Sequence, residues 1–535
     1  MLERIKRSDF NDLAREFHFS IGESEAGEYE KLTEFVLGIL DTMEALPAPQ
    51  QPPIAATRVP GPAPIPGEDP FNAIVRWCDV RAVAEGPLSG KRIGMKDSIA
   101  IAGVPMTCGS RVMQDFVPTV DSIVAERLLK AGASITAITN MDNFAFSAGG
   151  DTSAYGPTLC PFDLTRTAGG SSGGSAVALY YDDVDVTLGG DQGGSIRVPA
   201  SWCGVIGLKP THALVPYVGI PGIDQTIDHC GPLARTVADA ALLLEVIAGA
   251  DVADPRQRGG VRTQDYVRLV AEARDDLKGV RVGVLDEGMN ETAGIEPETA
   301  DAAMQAVERI RGMGAEIRRV SIPEHLQNGG MAFAGFVEGM TALVSGGGNG
   351  WHWMGRFWPE LAAGLRDGLL KFGDELPAQV KLTLLCGMHL RKRYFGELYA
   401  RAQNLRPWLT SAYDRALADV DLLVMPTTPA RAHRKDPSLP LSERVIRGWT
   451  PLTNTGPFDM TGHPALSIPA AEAGGLPVGL MLVGRHWQDG RLLQIARSYE
   501  RAFGWLPTSS TLAQAVPRRS PARTAAPGRS PSAGG

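Results

Sequence analysis

LGGDQGGSIRVPASWCGVIGLKPT, residues 188–211, begins where the strand-like run VDVTL (184–188) ends. Gly189 and Gly190 close that strand, and Asp191, Gln192, Gly193, Gly194 and Ser195 follow. Glycines lack Cβ, so consecutive backbone N–H groups can point into one concavity. Such a nest can hold a developing oxyanion, and a serine at its end can serve as a nucleophile. The same residues also read as an ordinary glycine turn before a helix, with Ser195 as its N-cap.

Outward from this stretch, strands and helices alternate, and SIRVPASWCGVIG (195–207) reads as strand resuming after the glycine turn. RIGMKDSIAIA (92–102) is extended in character. Asp121 is the expected N-cap of DSIVAERLLKAG, with Gly132 as its stop, and ASITAIT follows as a strand. VRVGVLD (280–286), a helix over 298–313 and AEIRRVSI repeat the pattern, and DLLVMP (421–426) and ALSIPA (465–470) are further buried strands. The alternation predicts an α/β class with a largely buried sheet. Residues 327–450 read as less regular and aromatic-rich. There GGGNGWHWMGRFWPE is either core beside a flexible loop or the aromatic wall of an apolar pocket.

Residues 1–46 read as helices, with Phe10, Leu13, Phe17, then Leu32, Phe35, Val36, Ile39 and Leu40 at helical spacing. Residues 47–70 hold nine prolines, which forbids regular helix or central strand. The expected division is a helical region and linker over 1–70, a main domain over 71–510, and a disordered Pro/Ser/Ala/Arg-rich tail over 511–535. The formal net charge is −8. An acidic body without a basic stripe argues against nucleic acid as a partner. No apolar run approaches a membrane span, and MLERIKRSDFNDLAREF lacks a signal-peptide core. Six widely spaced cysteines without a C-x-x-C suit a reduced, cytoplasmic setting. The Cys/His residues show no zinc spacing and there is no H-E-x-x-H, so no metal is expected.

Two more segments carry chemistry. AGGSSGGSA (168–176) contains two overlapping G-x-S-x-G matches, but CPFDLTRTA before it is not the buried strand that a nucleophile elbow needs. Lys96, in IGMKDSIAI, is either a surface lysine on an edge strand or a buried amine. Burial penalises its charged form and lowers its pKa, so it can act as a general base. A serine hydroxyl needs such a base, and none of the three segments holds a histidine. A proton path from Ser195 through Ser171 to Lys96 satisfies the need.

These segments, with GMKDSIAIAGVPMTCGS and TNMDNFAFS, resemble the amidase signature family over roughly residues 71–505. Gln192, the VPY segment at 215–217, TIDHCGPLARTVADAALLL and NTGPFDMTGHPALSIPA look most like its stand-alone bacterial, nitrile-pathway members. The resemblance implies an α/β/α sandwich around a large mixed β-sheet, with a small N-terminal helical region. It implies a Ser–cisSer–Lys triad of Ser195, Ser171 and Lys96. Backbone N–H groups of Gln192, Gly193, Gly194 and Ser195 would form the oxyanion hole, and Ser172, Asp191 and Arg197 would support the site. It further implies hydrolysis of a small or medium carboxamide through an acyl-enzyme, no cofactor, and a homodimer carried over from relatives. Related anilide, hydrazide, carbamate or ester bonds are possible substrates. A glutamine-hydrolysing amidotransferase A-type subunit is the alternative enzyme, and a catalytically silent scaffold the alternative of another kind. Cys160 stands where the family usually has Asn, and Ala168 where Pro is common.

Overall fold

The computed structural model describes residues 2–46, 52–82, 84–257, 259–348, 350, 355–506 and 512. The chain divides into two compact units: Met1–Pro52 with Lys392–Phe395, and the remainder. In the smaller unit the helix Glu23–Asp41 buries only Ala26. Arg4 binds it through Glu34 and Asp41, at 2.8 and 2.6 Å.

Among its described residues the larger unit has fourteen strands: β1 Ala56–Val59, β2 Ile74–Ala82, β3 Arg92–Lys96, β4 Ser134–Thr139, β5 Leu159–Cys160, β6 Asp163–Thr167, β7 Val186–Asp191, β8 Ile206–Lys209, β9 His229–Ala234, β10 Arg281–Leu285, β11 Glu316–Val320, β12 Leu422–Pro426, β13 Ala465–Ala473 and β14 Leu476–Val483. Twelve form one mixed sheet in the order β1-β2-β4-β3-β7-β9-β8-β13-β14-β12-β10-β11, and β5 and β6 form a separate pair. Side chains alternate across the sheet. Leu422, Val424, Leu480 and Leu482 enter one core, packed with the helices Val237–Ile247, Pro297–Gly312 and Asp489–Phe503. Leu423, Met425, Met481 and Val483 enter another, packed with the helices Pro359–Phe372 and Glu397–Asp419. This is the expected α/β fold around a large mixed sheet.

Four local readings change. The Pro-rich segment contributes β1, an edge strand paired antiparallel with β2, because residues 54–59 contain no proline and an edge strand need donate on one side only. Ser122, not Asp121, caps the helix Ile123–Lys130 by accepting from Ala125 N. Asp121 is taken by Arg58, at 2.6 Å. SIRVPASWC is largely the helix Arg197–Cys203. Residues 327–450 are mainly helical, with helices Asn328–Ala334, Met340–Ser345, Pro359–Phe372, Ala378–Tyr394 and Glu397–Asp419.

Candidate active site

β3 lies inside the sheet, parallel to both β4 and β7. The register pairs Met95 with Leu188, so Lys96 falls beside the glycines that end β7. Lys96 is therefore in a central strand and 1% exposed, not on an edge. Its Nζ donates to Ser171 Oγ at 2.7 Å and to the Gly190 carbonyl at 3.3 Å. Burial pushes the ammonium down to about 8, with Asp191 and Asp142 partly opposing.

Ser171 follows a cis peptide bond from Gly170. The Asp142 N–H donates to the Ser171 carbonyl at 3.2 Å. The Asp142 carboxylate accepts from Gly150 N at 2.9 Å and from Thr152 N and Oγ1, both at 2.8 Å. Ser172 Oγ donates to the Gly190 carbonyl at 3.1 Å, the acceptor that Lys96 also uses. The Ser172 N–H donates to the Ser195 carbonyl at 3.1 Å, which ties the two loops together. β6 before this loop pairs with β5 and bridges to Arg434, outside the main sheet, and is largely exposed or half-buried, unlike the strand of a nucleophile elbow.

After β7 the chain turns through Gln192–Ser195 into the helix Arg197–Cys203. Ser195 is not its cap: Ile196 holds that position without a side-chain cap bond. Asp191 does the capping, accepting from Ile196 N at 3.0 Å and Arg197 N at 3.3 Å. Among the described residues, the N–H groups of Gln192, Gly193, Gly194 and Ser195 donate to no protein acceptor. The Ser195 hydroxyl likewise has no partner among the described residues, so the path is closed from Lys96 to Ser171 and open from Ser171 to Ser195. Gly194 has φ +151°, and a Cβ there would meet Thr455 Oγ1, so this turn requires glycine.

Asp191, Arg197 and Asp459 form a fully buried cluster. Arg197 donates to Asp191 at 2.9 and 3.0 Å, to Asp459 at 2.6 Å and to the Thr455 carbonyl at 2.9 Å. Burial raises both carboxyls. At Asp191 the guanidinium outweighs it and holds the group at about 2; Asp459, facing Asp191, stays well above the usual range. Thr455 Oγ1 donates to the Gly193 carbonyl at 2.5 Å. Gln192 Nε2 donates to Tyr217 OH at 2.7 Å.

Gln192, Gly193 and Ser195 line a narrow pocket whose other walls include Phe146, Ile223, Phe336, Trp449 and Leu452. Phe146 packs edge-on against Phe336 and Trp449, at 6.1 and 6.4 Å between centroids. Phe336 sits in a π-helical segment, Gly335–Gly339, a distortion frequent at functional sites. Ala145 at the pocket and its neighbour Phe144 both have left-handed φ, +62° and +49°. GGGNGWHWMGRFWPE does not supply the wall in its described part. Trp358 packs against Phe116 in the core, at 5.4 Å, and Phe357 is exposed. Trp351 and Trp353 lie outside the described residues, as does the tail over 511–535 apart from residue 512.

The structure thus brings together Lys96, Ser171, Ser172, Asp191–Ser195 and Arg197. Sequence reasoning missed Thr455, Asp459, Tyr217, Asp142 and the pocket walls. Asp459 had a signal, a lone acid inside the apolar run TGPFDM; Thr455, Tyr217 and Asp142 lie in segments that carry the family resemblance but were not singled out within them. Cys160 is buried and donates through Sγ to the Trp202 carbonyl at 3.5 Å, apart from the lysine and its serine.

A sheet with a buried lysine at one strand end, a cis serine against it and a glycine loop beyond defines an amide-hydrolase fold. The sequence model of the amidase family matches residues 78–493, and the chain belongs to that family. It is a hydrolase acting on amides. Its relatives include an enantioselective amidase of Rhodococcus rhodochrous, 37% identical over 465 residues, 84% of this chain and 87% of that protein. The A-type subunit of the glutamyl-tRNA(Gln) amidotransferase of Methanosarcina mazei is 36% identical over 437 residues, 78% of this chain and 85% of that protein. Among solved structures, the peptide amidase of Stenotrophomonas maltophilia aligns with TM-score 0.64 at 30% identity, covering 78% of this chain and 83% of that one.

Proposed function

We propose that this amidase cleaves small apolar or aromatic carboxamides through Ser195, with Ser171 as relay and Lys96 as base. The observation that carries this reading is the buried Lys96 amine, 2.7 Å from Ser171 Oγ with its pKa lowered to about 8. In the cycle, neutral Lys96 takes the Ser171 proton while Ser171 takes that of Ser195, whose Oγ attacks the amide carbon. The oxyanion meets the N–H groups of Gln192, Gly193, Gly194 and Ser195. The lysine's proton returns through Ser171 to the leaving amine, C–N cleavage leaves the acyl-enzyme, and water repeats the path to release the carboxylate. Asp191, Arg197 and Ser172 hold the two loops in register. Phe146, Ile223, Phe336, Trp449 and Leu452 favour an uncharged acyl group.

An ammonia-release screen over aliphatic, aromatic and amino-acid amides tests the reading. Turnover of at least one apolar class is expected, with Ser195→Ala lowering it roughly 10³–10⁶-fold. Turnover of strongly charged amides alone would overturn the substrate class, and a fully active Ser195→Ala the nucleophile. Activity only with glutamine and charged tRNA, in the presence of partner proteins, would favour the amidotransferase reading, which the Methanosarcina relative supports.

We further propose a cytoplasmic homodimer. All six cysteines are unpaired, which suits a reducing compartment. Among the described residues no helix is long and apolar enough to cross a membrane. Leu32, Phe35, Val36 and Ile39 form an exposed apolar stripe on the helix Glu23–Asp41, the kind of face a second copy covers.

A further inference from the structure

Asp414, His463 and His486 meet from three separate elements: the helix Glu397–Asp419, the turn after the helix Gly456–Thr461, and the turn after β14. Their ligand atoms all lie within 4.8 Å of one another. The two imidazoles pack with centroids 4.0 Å apart. The His463 side chain is fully buried, His486 is partly buried, and Asp414 opens to solvent.

His463 Nδ1 lies 2.9 Å from Thr461 Oγ1, whose hydroxyl also reaches the Pro457 carbonyl at 3.0 Å. His463 Nε2 faces Asp414 Oδ1 at 3.2 Å. His486 Nε2 donates to the Thr461 carbonyl at 2.9 Å, so its Nδ1 keeps a lone pair, which faces the same Asp414 oxygen at 3.9 Å. When the Thr461 hydroxyl donates to the Pro457 carbonyl, His463 carries its proton on Nδ1 and its Nε2 lone pair joins that of His486 beside the carboxylate. A proton on His463 Nε2 satisfies one of these contacts; a metal ion satisfies all of them.

We propose that Asp414, His463 and His486 bind one divalent transition ion of the zinc class. Imidazole nitrogen with a single carboxylate suits such ions better than magnesium or calcium, which take oxygen shells. Ligands at about 2.0–2.2 Å from one zinc ion lie roughly 3–4 Å apart; the two separations to Asp414 are 3.2 and 3.9 Å, and the two imidazole nitrogens lie within 4.8 Å of each other. Thr461 orients both rings, one through its hydroxyl and the other through its carbonyl, as partners behind metal-binding histidines do. The remaining positions are open to water on the Asp414 side. The ion acts as a staple, not a reagent: it pins the end of the segment whose Thr455 and Asp459 hold Gly193 and Arg197.

The test uses the full chain, free of any affinity tag and stripped with chelator, titrated with ZnCl2 by calorimetry and with CoCl2 by visible absorption. Asp414→Asn and His486→Gln are measured beside it; both alter the open side of the site, whereas changing buried His463 risks the fold. The expected result is one equivalent bound, a cobalt d–d band without thiolate charge transfer, and a higher Tm with zinc. At least a hundredfold weaker binding is expected in each variant. Absence of binding, equal binding in the variants, or a thiolate band would overturn the site. So would an Asp414→Asn variant that lowers Tm equally with and without zinc, because the cation would then be a proton on His463.

Discussion

Lys96 carries two opposite consequences of burial. Its proton leaves near pH 8, so a neutral base becomes available there and above, and the enzyme loses stability whenever that amine must be charged. With the folded pKa at about 8 against an ordinary 10.5, the unfolded chain binds more protons between those values. Stability attributable to this residue therefore rises with pH from 8 to 10.5, and is lost as pH falls through 8. Activity moves the same way for a kinetic reason: kcat/KM should rise through an apparent pKa near 8 as the free enzyme's lysine loses its proton. Lys96→Met should lower kcat roughly 10²–10⁴-fold and abolish that limb, while Tm measured near pH 7 holds or rises because no buried charge remains. A pH–rate profile that is flat from 6.5 to 9.5 in the wild type, or a Lys96→Met enzyme of near-normal rate, would remove Lys96 as the base. The sequence displayed this residue's chemistry but not its address. A lysine in IGMKDSIAI reads equally as an edge position, and only the pairing of β3 with β4 and β7, partners 40 and more residues downstream, decides it.

Among the elements, the glycine loop is held from behind by the segment Asn454–Thr461. Thr455 fixes the Gly193 carbonyl, and a peptide's carbonyl and N–H turn together, so that bond also aims the Gly194 N–H. Thr455→Val should cut kcat roughly tenfold to a hundredfold with KM little changed; an unchanged kcat would remove Thr455 as a positioning residue. Arg197→Met is a different kind of damage. It leaves Asp191 and Asp459 buried without their shared cation and should cost about 3–5 kcal/mol in urea unfolding. At this scale legibility follows contact range. Strand and helix alternation, set by local apolar pattern, was readable at β3, β4, β7, β10, β11, β12 and β13, but β1, β2, β9 and β14 were not singled out. The cap of Ile123–Lys130 was not, because Asp121 and Ser122 are both good caps and the choice is made by Arg58, far upstream. The helices of 327–450 were obscured by Gly346–Gly348, by the π-helical Gly335–Gly339 and by Pro407 inside Glu397–Asp419. The pocket wall escaped for a related reason, since Phe146, Phe336 and Trp449 are dispersed single aromatics that only tertiary packing gathers.

At the scale of the whole molecule, the N-terminal helix poses an unsettled balance of surface. Glu23–Asp41 carries Leu32 at 56%, Phe35 at 66% and Ile39 at 53% exposure, all on one helical face. Fully burying one such side chain is worth about 1.5–3 kcal/mol, so a stripe of four supplies a substantial part of an association energy before any polar contact is made. Its i, i+3, i+4, i+7 spacing favours a second helix laid along it, and in a symmetric pair the partner helix is the same one. Of the helix's acids, Glu34 lies away from this stripe and is bound to Arg4, while Glu28, at the N-terminal end of the same face, is paired with Lys31, so neither of these two puts an unpaired charge on it. Light scattering on the full chain should therefore give twice the 57.0 kDa chain mass at micromolar concentration. Leu32→Glu with Phe35→Glu should shift it to the monomer mass, because each would bury a carboxylate in the seam. Amide hydrolysis per chain should be retained in that monomer, since the residues proposed for catalysis all come from the larger unit of one chain. A wild type that remains a monomer at these concentrations, or a double variant that still dimerises, would place the contact elsewhere or remove it.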